Sequence, residues 1–128
     1  MKKIIVDSSV IIEFLRTSKG LWMNLIEEKE KNEIELIVPV VVVAELWSGK
    51  SVSDPKKEKY LKRMLEVATI RELDENEAKM AGEIRRNFGV SLSDAMVASC
   101  VMLTKRAELA TLNIKDFAKI GKIKLYTR

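Results

Sequence analysis

Short apolar strands alternating with helical stretches predict an α/β fold with three α/β/α layers and a mainly parallel central sheet of four to five short strands. Two observations carry this. Apolar, β-branched runs too short for helices recur at residues 3–6, around Leu36-Ile37-Val38, from Thr69 to Leu73 and at Leu109-Ala110-Thr111. Between them lie longer stretches with apolar residues at helical spacing, several opened by a capping residue or a proline. The 128 residues suit one domain, large enough to bury roughly two-thirds of the surface its unfolded chain exposes.

Residues 3–6 form the first strand and end in Asp7-Ser8-Ser9, a helix start. Leu21, Trp22, Leu25 and Ile26 recur at helical spacing, and the polar run Glu27 to Glu33 closes that segment before the second strand around residues 36–38. Pro39 suits the first turn of a helix reaching about Ser48, where its missing N–H is not needed, although the valines at 40–43 favour a strand. Gly49 to Asp54 reads as a loop. Pro55 opens a helix with Leu61, Met64, Leu65 and Ala68 on one face, and Thr69 to Leu73 forms a third strand. Asp74 with Glu77 matches a capping box, heading a helix whose stripe is Ala78, Ala81, Ile84 and Phe88. Ser91 heads a run to about Arg106 that is apolar almost all round, as a helix in the middle of a domain would be. Leu109 to Thr111 is the fourth strand. A short helix spans Asp116 to Ile120, Gly121 stops it, and Lys124-Leu125-Tyr126 supplies a final edge strand.

Composition narrows the chemistry. There is no histidine, and Cys100 is the only cysteine. These absences remove the commonest general base, imidazole ligation, the usual triads, an internal disulfide framework and any multi-thiolate zinc site. No apolar stretch approaches the length of a bilayer span, and Asp7 ends the first apolar run too soon for a secretory signal, so a cytoplasmic protein without membrane association is expected. The net charge of +4 suits an acidic partner such as nucleic acid without demanding one.

Asp7 stands at the carboxyl end of the first strand, where doubly wound sheets present groups to a ligand crevice, but taken alone it reads more readily as a cap on the next helix. Glu45 is the only charge in Val40-Val41-Val42-Val43-Ala44-Glu45-Leu46-Trp47. A carboxylate there either lines a polar cavity or sits at the solvated edge of its helix. Asp94 is the only charge between Ser91 and Thr104, and Ser91-Leu92-Ser93-Asp94 is also a capping-box pattern. Asn113 and Asp116 follow the last internal strand, where Asp116 could simply be a helix-start acid. Gathering several anions is unfavourable unless a cation neutralises them, and without His or Cys clusters all-oxygen ligation points to Mg²⁺ or Mn²⁺. Gly49-Lys50-Ser51 looks like the end of a phosphate-binding loop, but Ala44 stands where that pattern needs glycine.

Four short pieces in this order resemble the PIN-domain nucleases, and among them the compact VapC-type toxins of toxin–antitoxin pairs. They are residues 4–12 around Ile4-Ile5-Val6-Asp7, then Pro39 with Val43-Ala44-Glu45-Leu46, then residues 92–98 opening on Leu92-Ser93-Asp94-Ala95, and lastly residues 109–117 with Thr111-Leu112-Asn113-Ile114-Lys115-Asp116-Phe117. The resemblance spans the whole chain and implies a single PIN-like domain over residues 1–128. It implies Asp7 and Asp94 as direct metal ligands, Glu45 completing the acidic pocket, and Ser9 and Thr111 supporting it. The fourth acidic position of many relatives falls on Asn113, so either Asn113 is a neutral ligand or Asp116 substitutes; proximity to the strand end favours Asn113. The implied activity is metal-dependent endoribonuclease hydrolysis, leaving a 5′-phosphate and a 3′-hydroxyl. RNA, a second copy in a homodimer and a small antitoxin are the implied partners. Candidate contacts to the RNA backbone are Arg16, Lys19, Arg85, Arg86, Lys105 and Arg106.

Two other classes compete with this reading. A non-catalytic RNA-binding module would keep the fold without turnover, a possibility that Asn113 raises. A phosphoacceptor signalling domain would also alternate strands and helices, but it would carry an adjacent acidic pair after the first strand, where this chain has Asp7-Ser8-Ser9.

Overall fold

The computed structural model describes residues 1–127. In chain order these form β1 (Lys2–Val6), α1 (Ser8–Thr17), α2 (Leu21–Glu30), β2 (Ile34–Pro39), α3 (Val40–Ser48), a 3-10 turn (Lys50–Ser53), α4 (Pro55–Glu66), β3 (Thr69–Arg71), α5 (Glu75–Phe88), α6 (Leu92–Met102), β4 (Ala107–Ala110) and α7 (Ile114–Ala118). Among the described residues the sheet has four strands in the order β3-β2-β1-β4, and every neighbouring pair is parallel. Successive residues of a strand face opposite sides, and Ile4, Ile5 and Val6 are all fully buried. Both faces of β1 are therefore covered, which gives the expected three layers. The sequence 124–126 adds only an isolated parallel bridge between Leu109 and Leu125 rather than a fifth strand. Among the described residues, no helix is long and apolar enough to cross a membrane.

The order of strands positions a crevice. β2 and β3 extend the sheet on one side of β1, and the chain then crosses over to place β4 on the other. The reversal lies at β1, so side chains following β1 and β4 meet beyond their carboxyl ends.

The valine run illustrates how packing overrides local preference. Pro39 ends β2 as the N-cap of α3, one residue earlier than the first-turn position expected for it. Each valine in a helix costs up to about 0.7 kcal/mol relative to alanine. Full burial of Val42 and near-complete burial of Leu46 contribute more, roughly 1.5–3 kcal/mol per side chain.

Several boundaries differ from the sequence reading. The run from Ser91 leaves the helix at Met102, and Arg106 takes a left-handed turn (φ 58°) that leads into β4. β4 spans Ala107–Ala110 rather than residues 109–111, because Glu108 is accommodated inside it by Lys2 and Lys124 at 3.3 and 3.2 Å. β3 stops at Arg71, and the last helix starts at Ile114 rather than Asp116. On α5 Ala81 and Ile84 face the core as expected, but Ala78 and Phe88 are exposed. Glu77 takes the inward position instead, 2.6 Å from the Arg71 guanidinium. The Asp74 capping box is accordingly half-formed: Asp74 accepts the Glu77 N–H at 2.8 Å, while the Glu77 carboxylate turns to Arg71.

Candidate active site

Asp7 links β1 to α1 and occupies the N-cap position, yet its side chain caps nothing. It is 2% exposed, and its Oδ2 accepts the Ser9 hydroxyl at 2.9 Å and the Thr111 hydroxyl at 2.7 Å. Each hydroxyl is oriented in turn by a backbone amide, since Leu112 N–H donates to Ser9 Oγ at 3.0 Å and Asn113 N–H donates to Thr111 Oγ1 at 2.9 Å. The turn after β4 thus fixes a carboxylate after β1, directly across the switch point. The capping alternative for Asp7 does not describe this arrangement.

Glu45 lies on the partly buried side of α3, and Asp94 in the first turn of α6, whose Ser91 hydroxyl accepts the Asp94 N–H at 3.1 Å. Burial raises the proton affinity of the Glu45 carboxyl, and the neighbouring Asp7 and Asp94 carboxylates raise it further, against the Ser93 and Ser8 hydroxyls. Asp94 is raised first by burial and then by Asp7, with Asp116 adding to it and the Ser91 hydroxyl opposing. Asp7, after β1, therefore bears on Glu45 of α3 and Asp94 of α6, while Asp116 of α7 bears on Asp94. Ser8 and Ser93 were not singled out from sequence; only their places beside Asp7 and Asp94 marked them.

Asn113 and Asp116 occupy different surroundings. Asn113 is exposed at the N-cap of α7 and contributes its backbone N–H to Thr111. Asp116 is partly buried and reaches Asp94 electrostatically, although Lys119 also stands 3.6 Å from it. Of the proposed backbone-contacting cations, Lys105 and Arg106 precede β4 and lie at the opposite end of the sheet from Asp7. Arg85 and Arg86 occupy the last turn of α5, which leads directly into Ser91 and α6, and Lys19 is exposed after α1.

The donor set suits a hard divalent cation. Burial pushes the Cys100 thiol up to about 11, so it stays protonated and offers no thiolate. No group of three or more His, Cys, Asp or Glu side chains among the described residues is drawn together into a ready-made cage. Mg²⁺ does not need one, because it keeps several waters and is held through one or two carboxylates. Burial first, and then mutual repulsion, raises the proton affinities of Glu45 and Asp94, and a bound cation would offset both.

The profile of the PIN domain matches residues 4–123. The chain belongs to the PIN domain family. PIN domains are nucleases, which sets aside the phosphoacceptor alternative. Among solved structures, this PIN domain resembles VapBC2 from Rickettsia felis bound to a promoter DNA fragment, at 22% identity and TM-score 0.82 over 97% of each chain. It also resembles DNA-bound VapBC from Salmonella typhimurium, at 17% identity and TM-score 0.80 over 98% of each chain. FitAcB from Neisseria gonorrhoeae follows at 20% identity and TM-score 0.72, over 97% of this chain and 96% of that one. No curated protein matches significantly.

Proposed function

We propose that this PIN domain is a divalent-metal-dependent endoribonuclease acting as the toxin of a toxin–antitoxin pair. The observation that carries the catalytic reading is Asp7, buried, uncapping, held by two hydroxyls and coupled to Glu45 and Asp94. Support for the toxin reading comes from the VapBC structures it resembles.

In this reading Asp7 and Asp94 would hold Mg²⁺ or Mn²⁺, which would supply a water of lowered pKa and stabilise charge on the phosphate. Ser9 and Thr111 hold Asp7 by hydrogen bonds, and Glu45 would take the proton from the attacking water. Attack forms a new P–O bond and breaks the P–O3′ bond, and the departing oxygen is protonated, leaving a 5′-phosphate and a 3′-hydroxyl. Asp116 adds negative charge from the α7 side.

A second surface suits the antitoxin. A groove of about 410 Å³ between α1, α2 and α4 is lined mainly by apolar side chains, among them Phe14, Trp22, Ile26 and Met64. It lies apart from the carboxylates, so a partner could anchor there while another segment blocks the crevice. A homodimer is part of the same proposal.

Chelator-treated protein titrated with Mn²⁺ or Mg²⁺ and given single-stranded RNA should regain cleavage. Asp7→Ala and Asp94→Asn, both folded by circular dichroism, should not. Undiminished cleavage in excess chelator, or wild-type turnover by Asp94→Asn, would refute the mechanism; metal-independent RNA binding without turnover would favour the non-catalytic module.

A further inference from the structure

Beside Glu45 lies a space that the carboxylate chemistry does not use. α1 packs against α3, and the 3-10 turn folds back on α3. Between them is a cavity of about 240 Å³ with Ile12, Leu15 and Leu46 as apolar walls, Arg16 and Lys50 as cations, and Ser51 on the turn. Glu45 forms the wall nearest the acidic cluster. Ile12 and Arg16 also line an adjoining cleft of about 450 Å³, whose other side is formed by Ser9 and Leu112. These are the residues joined by the hydrogen bond that orients the Ser9 hydroxyl toward Asp7. The two spaces therefore flank the carboxylates and share Arg16.

We propose that the cavity receives one unpaired nucleobase of the RNA strand beside the scissile phosphate, with Arg16 and Lys50 against the flanking phosphates, and so sets where the strand is cut. The inference rests on the nuclease reading above. Its volume is below the range of about 300–1,000 Å³ that drug-sized ligands occupy, which suits one ring system rather than a stacked pair. Apolar side chains on both sides match the faces of a base, and cations at the same opening match its phosphates. A paired base cannot enter without being extruded, so single-stranded or looped RNA is the substrate class selected. Lys50 and Ser51, discarded as a phosphate-loop pattern in the sequence, take on a different role.

Ser51→Phe fills the cavity from a partly exposed position on the turn. Two readouts separate the cavity from the catalytic chemistry. The first is fluorescence anisotropy of a labelled single-stranded oligoribonucleotide, measured in chelator on an Asp94→Asn background with and without Ser51→Phe. The second is end-mapping of fragments made by otherwise wild-type protein. Ser51→Phe should weaken binding roughly tenfold and alter the base preference at one position relative to the cut. Lys50→Ala should raise KM with little change in kcat. Ile12→Ala, which widens the cavity, should relax the preference and serves if Ser51→Phe does not fold. Unchanged affinity and an unchanged cleavage map in folded Ser51→Phe, or in Ile12→Ala, would overturn the proposal. Wild-type cleavage with no base preference at any position would overturn it too, with the nuclease reading intact. Absence of wild-type cleavage at every metal concentration would remove both.

Discussion

Thr111→Val exchanges a hydroxyl for a methyl group of similar size and deletes the 2.7 Å bond donated to Asp7 Oδ2, the 2.9 Å bond accepted from Asn113 N–H and a long 3.4 Å contact with the Ser9 hydroxyl. The first reaches a carboxylate that is 2% exposed, and hydrogen bonds to charged groups contribute about 1.5–3 kcal/mol. The second lies in a more open turn and contributes nearer 0.5–1 kcal/mol on the same scale. Burial of the new methyl offsets up to about 0.8 kcal/mol, and Ser9 still donates to the same oxygen. The expected net loss is about 2 kcal/mol, or roughly 8 °C in Tm for a domain of this size. Thr111→Ser keeps the hydroxyl and should lose about 1 kcal/mol or less. Urea unfolding in chelator measures these values, and Mn²⁺ titration should show metal affinity falling roughly 10–100-fold for Val but not for Ser. A loss in Ser as large as in Val would mean that the γ-methyl contributes as much as the hydroxyl at this position. A Val variant as stable and as metal-avid as wild type would refute the orienting role of Thr111 altogether.

Glu45→Gln should stabilise the metal-free protein at neutral pH while impairing cleavage. Its folded-state pKa is raised, by burial and then by Asp7 and Asp94, so its contribution to stability is full below the ordinary value of 4.5 and is lost as pH rises through the folded value. In chelator the stability of wild type relative to the variant should therefore fall from acid toward neutral pH, and saturating Mg²⁺ should reverse the ranking. Glu45 tests this more cleanly than Asp94, whose place in the first turn of α6 adds a favourable helix-dipole term of about 0.3–1 kcal/mol that an amide would lose. Asp116→Ala should lower Mn²⁺ affinity more than Asn113→Ala, measured calorimetrically, because Asp116 bears on Asp94 and Asn113 is exposed; the opposite order would return Asn113 to the metal. Gly20→Ala should cost about 1–3 kcal/mol in thermal unfolding, since φ 110° and ψ −163° form a glycine conformation. The Glu13 carboxylate that a Cβ would meet can swing aside, so relief by Glu13→Ala in the double variant should be small.

Much of the fold was legible because the buried strands are apolar runs bounded by turn chemistry. β1 and β2 surfaced this way, extended by one or two residues where Lys2 and Ile34 pair across the ladder. β4 was misplaced for the reason that it contains Glu108, a charge no periodicity argument puts inside a sheet. Among the described residues, Lys2 and Lys124 pair with it and make it tenable. The inward face of α5 was misread in the same way. Glu77 was assigned to a cap, and the partner that draws it inward, Arg71, belongs to a strand edge that local sequence does not connect to it.

The candidate site was legible in its members but not in its wiring. Asp7, Glu45 and Asp94 stood out as isolated charges in apolar surroundings, and the structure brings them to bear on one another. That Asp7 is oriented by Thr111, 104 positions away, depends on parallel pairing of β1 with β4, which only topology supplies. The fourth position turns on helix register. Leu112, Asn113 and Ile114 are all exposed, so they offer no apolar stripe from which the start of α7 could be read. Starting the helix at Ile114 makes Asn113 its N-cap and carries Asp116 into its first turn, with Phe117 anchoring that turn in the core. On this register Asp116 is the charged group we propose for this corner, whereas nearness to the strand end points to Asn113, and the paired alanine variants decide between them.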